Sequence, residues 1–64
     1  MHIELSREEA ETLRELLQQR ILELDKEINR TDSLGFKKRL QQLDRTIEHV
    51  LREVETALAD VPHA

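Results

Sequence analysis

Cysteine is absent from the 64 residues, which excludes disulfides, a thiol nucleophile and a thiolate metal site. Trp and Tyr are absent too, and Phe36 is the one aromatic residue, so the chain lacks the usual stacking surfaces for bases and flat cofactors. No apolar run approaches the roughly 20 residues that a membrane span needs. The opening residues 1–5 have neither the basic nor the apolar region of a signal peptide. We therefore expect a cytoplasmic protein without a membrane segment.

Residue patterns that carry catalytic or metal chemistry are also missing. The histidines His2, His49 and His63 form no His-x-x-x-His or Glu-x-x-His pair of the kind that builds metal sites in helical bundles. There is no nucleophile motif or glycine-rich phosphate loop, and a core of Leu and Ile offers no pocket in which a carboxylate becomes a general acid or base. We therefore expect no enzyme activity, no cofactor and no metal.

The size of the chain limits it to one domain, residues 1–64, with a small core. Charged and hydrophobic residues each make up 38%, and the formal net charge is −4. Phosphate backbones are bound by clustered Lys and Arg, so this charge argues against general binding of nucleic acid. Chains this small usually need disulfides, a metal or a partner chain for stability, and here a partner is the expectation.

Two helices are predicted, separated by the one cluster of turn-forming residues at 29–35, which ends at the only glycine, Gly35. The first helix, about 6–30, begins at the capping box of residues 6–9 (SREE). The second, about 33–60, begins at a cap supplied by one of residues 31–33 (TDS) and ends before Pro62. One continuous helix is the alternative, but it would leave both apolar faces exposed.

Apolar residues recur every three or four positions along both helices, which places them on one face of each. In an antiparallel hairpin, facing residues have a constant sum of residue numbers, and six pairs from the two faces share the sum 64. The predicted hairpin core is Ala10, Leu13, Leu17, Ile21, Leu24 and Ile28 from the first helix and Phe36, Leu40, Leu43, Ile47, Leu51, Val54 and Leu58 from the second. We expect an all-α antiparallel two-helix hairpin.

Residues beside these faces indicate a dimer. Leu16, Val50 and Ala57 widen the apolar faces beyond what two helices touching along one line shield. With Arg20, at the edge of the first face, they form the predicted interface of a dimeric four-helix bundle. Arg20 either reaches a carboxylate across the interface or lays its stem on apolar surface with its head in water, and we expect the second. A monomeric hairpin stabilised by residues 3–5 and a higher assembly are the alternatives.

The charges favour an antiparallel dimer. Residues 1–16 with 49–64 carry eight acids and three bases, net −5, whereas residues 17–48 carry six acids and seven bases, net +1. An antiparallel pair sets each acidic end beside the partner's Lys37, Lys38 and Arg39. Single surface pairs contribute only about 0–1 kcal/mol each, so these charges bias the orientation without fixing it.

Two segments carry a resemblance to other proteins: residues 1–10 (MHIELSREEA) and residues 28–40 (INRTDSLGFKKRL). The chain resembles a group of short, uncharacterised bacterial two-helix proteins with a similar opening and a Thr-Asp hinge followed by Phe-basic-x-x-Leu. Gly35 stands where the group has a charged residue. The resemblance implies the same cap, hinge and core, and it carries over no functional residue. The layout is also similar to that of the plasmid repressor-of-primer proteins, which are antiparallel four-helix dimers, but this likeness concerns architecture alone.

The function expected from the sequence is a non-enzymatic homodimeric protein-interaction or scaffold module, whose surface engages a further protein. The alternative is a small regulatory dimer that binds nucleic acid through its basic turn end, with Lys37, Lys38 and Arg39 as the candidate polyanion contact. The regular packing pattern of the two helices supports the first function. The second has less support, because this short run is the only concentration of basic residues in the chain.

Overall fold

A computed structural model of the chain describes residues 2–59, and these form two helices that fold back on each other as a hairpin. α1 spans Arg7–Arg30 and α2 spans Leu34–Ala59. The predicted all-α hairpin is therefore confirmed. The predicted end of the second helix near residue 60 and the effect of Pro62 lie outside the described residues.

α1 begins at the predicted capping box. The Ser6 hydroxyl accepts a hydrogen bond from the backbone N–H of Glu9 at 3.1 Å, and the Glu9 carboxylate accepts one from the backbone N–H of Ser6 at 2.9 Å. These bonds satisfy two of the backbone donors that a helix start leaves free. The backbone N–H of Ser6, followed by its hydroxyl, also lowers the pKa of Glu9.

Three residues connect the helices. Thr31 ends α1 in an extended conformation (φ −84°, ψ 134°). Ser33 supplies the cap of α2, because its hydroxyl accepts from the N–H of Phe36 at 3.3 Å and its carbonyl accepts from the N–H of Lys37 at 2.9 Å. So short a connection makes the two helices antiparallel neighbours.

The hairpin is a single layer of two helices. Its extents are 50 × 21 × 14 Å and its Cα radius of gyration is 14.4 Å, whereas a compact globular chain of this length has about 11 Å. The smallest extent is close to the diameter of one helix, about 10–12 Å. Within residues 2–59, therefore, no second layer covers either flat side of the hairpin.

The seam between the helices encloses few side chains. Among the described residues only Ala10, Leu24 and Leu40 are buried, and Leu24 is fully enclosed. Leu24 and Leu40 are one of the predicted facing pairs. Eight more residues of the predicted core are half-buried: Leu13, Leu17, Ile21, Ile28, Ile47, Leu51, Val54 and Leu58.

Phe36 and Leu43 lie outside the hairpin core, and the prediction that they belong to it is wrong. Phe36 is 52% exposed and Leu43 41% exposed, whereas the next residue, Asp44, is half-buried. Around the helix, Leu43 lies about 60° to one side of the buried Leu40 and Asp44 about 40° to the other. Leu40, Ile47, Leu51, Val54 and Leu58 keep their predicted places at the seam, and the side of α2 that faces α1 is turned slightly toward Asp44 and away from Leu43.

Replacing Gly35 by Ala should stabilise the hairpin by about 0.5–1 kcal/mol, because Ala loses less backbone freedom than Gly on entering a helix. Gly35 lies in the first turn of α2 without a positive φ, and a Cβ there would meet no atom within 4 Å. Urea unfolding at one fixed protein concentration measures the change. The matched variant Ser33→Ala, which removes the cap two residues earlier, should lose about 1 kcal/mol. A lower midpoint for Gly35→Ala would contradict the helical placement of Gly35.

Candidate association surface

Four apolar residues of α2 lie on one line, each seven residues after the last. They are Phe36, Leu43, Val50 and Ala57, here called the α2 stripe, and all four are exposed. Seven residues make almost two complete helical turns, so the line drifts by only about 20° at each step. This spacing is typical of a helix side that packs against another helix.

The α2 stripe adjoins the seam with α1. Leu40, Ile47 and Val54 each follow a stripe residue by four positions, which is about 40° around the helix. The seam and the stripe therefore belong to one broad apolar sector, and α1 covers only part of it. Val50 and Ala57 were predicted at the interface. Phe36 and Leu43 share the same spacing of seven residues, although the sequence analysis assigns them to the core.

A groove opens at the end of the hairpin where the chain begins. Residues 2–5 and the first turns of α1 form one wall, and the last turns of α2 form the other. Its apolar lining includes Ile3, Leu5 and Leu13 opposite Val50, Ala57 and Leu58. The two smaller members of the α2 stripe thus lie in this terminal groove, while the two larger members project near the turn.

A polar edge runs beside the α2 stripe on the side away from the seam. Arg39, Thr46 and Glu53 each follow a stripe residue by three positions, about 60° around the helix in the other direction, and all three are exposed. A base therefore stands near the turn and an acid near the terminal groove. The only salt bridge of Glu53 within residues 2–59 is to His49, at 3.8 Å, and both side chains are largely exposed.

Around Leu16, α1 has no apolar line comparable to the α2 stripe. Leu16 is exposed, as anticipated for an interface residue, but the positions seven residues before and after it are Glu9 and Glu23. The Arg20 guanidinium donates to Glu23 at 3.2 Å and to Glu27 at 3.5 Å. Its carboxylate partners thus belong to its own helix, and a reach across an interface is not needed to satisfy it.

The basic run of the turn end does not form one flat patch. Lys37, Lys38 and Arg39 are consecutive in α2, so they point in directions about 100° apart. Lys37 is half-buried, while Lys38 and Arg39 are exposed. Of the three, Arg39 lies beside the α2 stripe.

Over residues 2–59 no three His, Asp or Glu side chains converge in a way that would hold a metal ion. No helix in the same range combines the length and apolar character of a membrane span.

Asp44 is an acidic group at the edge of the seam whose carboxylate is partly enclosed. Its Oδ1 atom is enclosed and has no hydrogen-bond partner among the described residues. Burial raises the pKa of Asp44, and the negative charges of Glu48 and Asp25 raise it further. The folded chain therefore disfavours the ionised carboxylate that exists at neutral pH.

Replacing Asp44 by Asn should raise the melting temperature at pH 7, because the variant removes the charge while keeping the shape. Since folding raises the pKa of Asp44, the wild-type penalty disappears as the pH falls through that raised value. The advantage of Asp44→Asn should therefore shrink with acidification and vanish below the ordinary Asp pKa of about 3.9. Thermal melts from pH 7 to pH 3 test this, with Glu55→Gln, which changes an exposed carboxylate of α2, as the control. An advantage that is independent of pH would contradict it.

Searches against protein-family models, curated proteins and solved structures return no match to this chain. Its function is therefore inferred from its own surface.

Proposed function

We propose that the chain is a non-enzymatic homodimeric protein-interaction or scaffold module, in which two hairpins pair through their α2 stripes to form a four-helix bundle. The observation that carries this proposal is the continuous apolar line from Phe36 to Ala57, exposed along nearly the whole length of α2. In a bundle the second hairpin supplies the layer that the single hairpin lacks.

The accessible surface of the chain supports association. The hairpin exposes 5519 Å², whereas a compact monomer of 7.6 kDa exposes about 4,300 Å². The excess is about 1,200 Å² per chain, and a standard protein interface buries about 800 Å² per partner. A dimer through the α2 stripe would bring the exposed area close to that of an ordinary compact protein.

The kind of residue on the surface supports a protein partner over a small molecule. Aliphatic side chains in a row give an extended apolar strip, which suits an amphipathic helix. Polar groups that converge on a small ligand are not found along this strip. The proposed occupant is a helix of the same type, because the regular spacing of seven matches the repeat of helices that pack against each other.

Sedimentation equilibrium over a wide concentration range tests the proposal. The wild-type chain should show a mass near twice the 7.6 kDa of the monomer at the higher concentrations. Leu43→Ser should weaken the dimer by about tenfold or more. Full burial of a Leu side chain contributes about 1.5–3 kcal/mol, Leu43 still exposes 41% of its surface in the hairpin, and a twofold dimer loses this contact twice.

The matched control is Leu22→Ser. Leu22 is an exposed leucine of α1, two positions from the enclosed Leu24 and therefore on the side of α1 turned away from α2. This variant should dimerise like the wild type, with both variants retaining their helical circular dichroism. A wild-type chain that stays monomeric throughout, or equal weakening by the two variants, would overturn the proposal.

A further inference from the structure

We infer that the two hairpins pair antiparallel along α2, with Phe36 of each copy inserted into the terminal groove of the other. This inference rests on the proposed homodimer and adds its orientation and register. The projecting half of each α2 stripe, Phe36 and Leu43, would then meet the half of the partner's stripe that lies in the terminal groove. The two surfaces would be self-complementary, as a twofold interface requires.

The sizes of the stripe residues select this orientation. In an antiparallel pair about a twofold axis, Phe36 meets the partner's Ala57 and Leu43 meets the partner's Val50, because both pairs have the same sum of residue numbers. Each layer then combines a larger with a smaller side chain. In a parallel pair every residue would meet itself, so two Phe side chains would crowd at one end and two Ala side chains would leave a void at the other.

The terminal groove has the chemistry to receive Phe36. Ile3 and Leu5 on one wall and Val50 and Ala57 on the other offer apolar contact on both sides of an entering ring. Phe36 is the largest apolar side chain of the molecule and is more than half exposed. Large aromatic side chains that enter apolar pockets are the usual anchors of protein interfaces.

The charges of the polar edge beside the α2 stripe also favour the antiparallel orientation. Antiparallel pairing places Arg39 beside the partner's Glu53 twice in the dimer, and it brings Thr46 close to its own copy at the twofold axis. Parallel pairing would place Arg39 beside Arg39 and Glu53 beside Glu53. The net charge is −5 at the terminal end of the hairpin and +1 at the turn end. This difference also favours antiparallel pairing, which sets unlike ends side by side.

Disulfide exchange tests the orientation, since the chain has no cysteine of its own. Arg39→Cys and Glu53→Cys chains, distinguished by mass, are mixed in a glutathione redox buffer and the disulfide dimers are counted. Antiparallel pairing should give the mixed 39–53 dimer in clear excess over the two same-site dimers. Thr46→Cys should form a same-site dimer in either orientation, and Arg45→Cys, on the opposite side of α2, should form none above the level of free chains.

The outcomes separate the inference from the proposed dimer. Same-site dimers at 39 and 53 in excess, with Thr46→Cys still coupled, would overturn the antiparallel orientation and leave the homodimer standing. Failure of Thr46→Cys to couple above the Arg45→Cys level, together with a monomer in sedimentation, would overturn both.

Charge reversal gives a second readout without cysteine. Arg39→Glu or Glu53→Arg alone should raise the dimer dissociation constant about three- to tenfold at low salt, since each change affects two exposed pairs. The double variant should return to the wild-type value, and high salt should reduce all differences. In a parallel dimer a single reversal would only exchange one like-charge pair for another, so unchanged affinity of the single variants would overturn the inference.

Discussion

Two helices that lie side by side shield only one strip of each other's surface, and the rest of this molecule follows from that limit. The strip holds Leu24 and Leu40 as its most enclosed side chains. Every other apolar residue of the seam keeps part of its surface in water, and the two flat sides of the hairpin stay open. In the proposed dimer the second layer comes from another chain, which is why the exposed line along α2 bears on function as well as on fold.

The sequence predicts well those features that depend on local hydrogen bonding. The Ser6 capping box and the serine cap before α2 are decided by side chains that reach backbone groups within three residues, and the observed helices start within a residue of the predicted positions. The rotation of α2 about its own axis was not predicted. Its apolar sector is wider than the seam, so counting apolar residues does not tell which edge α1 covers. As a result, the prediction places Phe36 and Leu43 in the core, whereas the structure leaves both exposed.

The observed orientation of α2 places the Asp44 carboxylate in an unfavourable position. Turning α2 by about 40° about its own axis would bring Leu43 toward α1 and Asp44 toward water, which relieves the desolvation that raises the pKa of this carboxyl. The same rotation would turn the whole α2 stripe toward α1 and leave less of it exposed. The observed setting therefore places an unfavourable charge inside the hairpin while leaving the largest apolar line outside. Such a compromise is understandable if the outer line is itself buried in the proposed dimer.

Folding and association are consequently coupled in the proposed dimer. A partner that binds only the folded hairpin stabilises it in proportion to its own concentration, and the partner here is the chain itself. A change in the seam, such as one at Leu24, alters the hairpin and through it the dimer at every concentration. A change in the α2 stripe leaves the isolated hairpin nearly as it was and acts only where dimers form. The concentration dependence of the unfolding midpoint therefore distinguishes the two surfaces, although they lie only about 40° apart on the same helix.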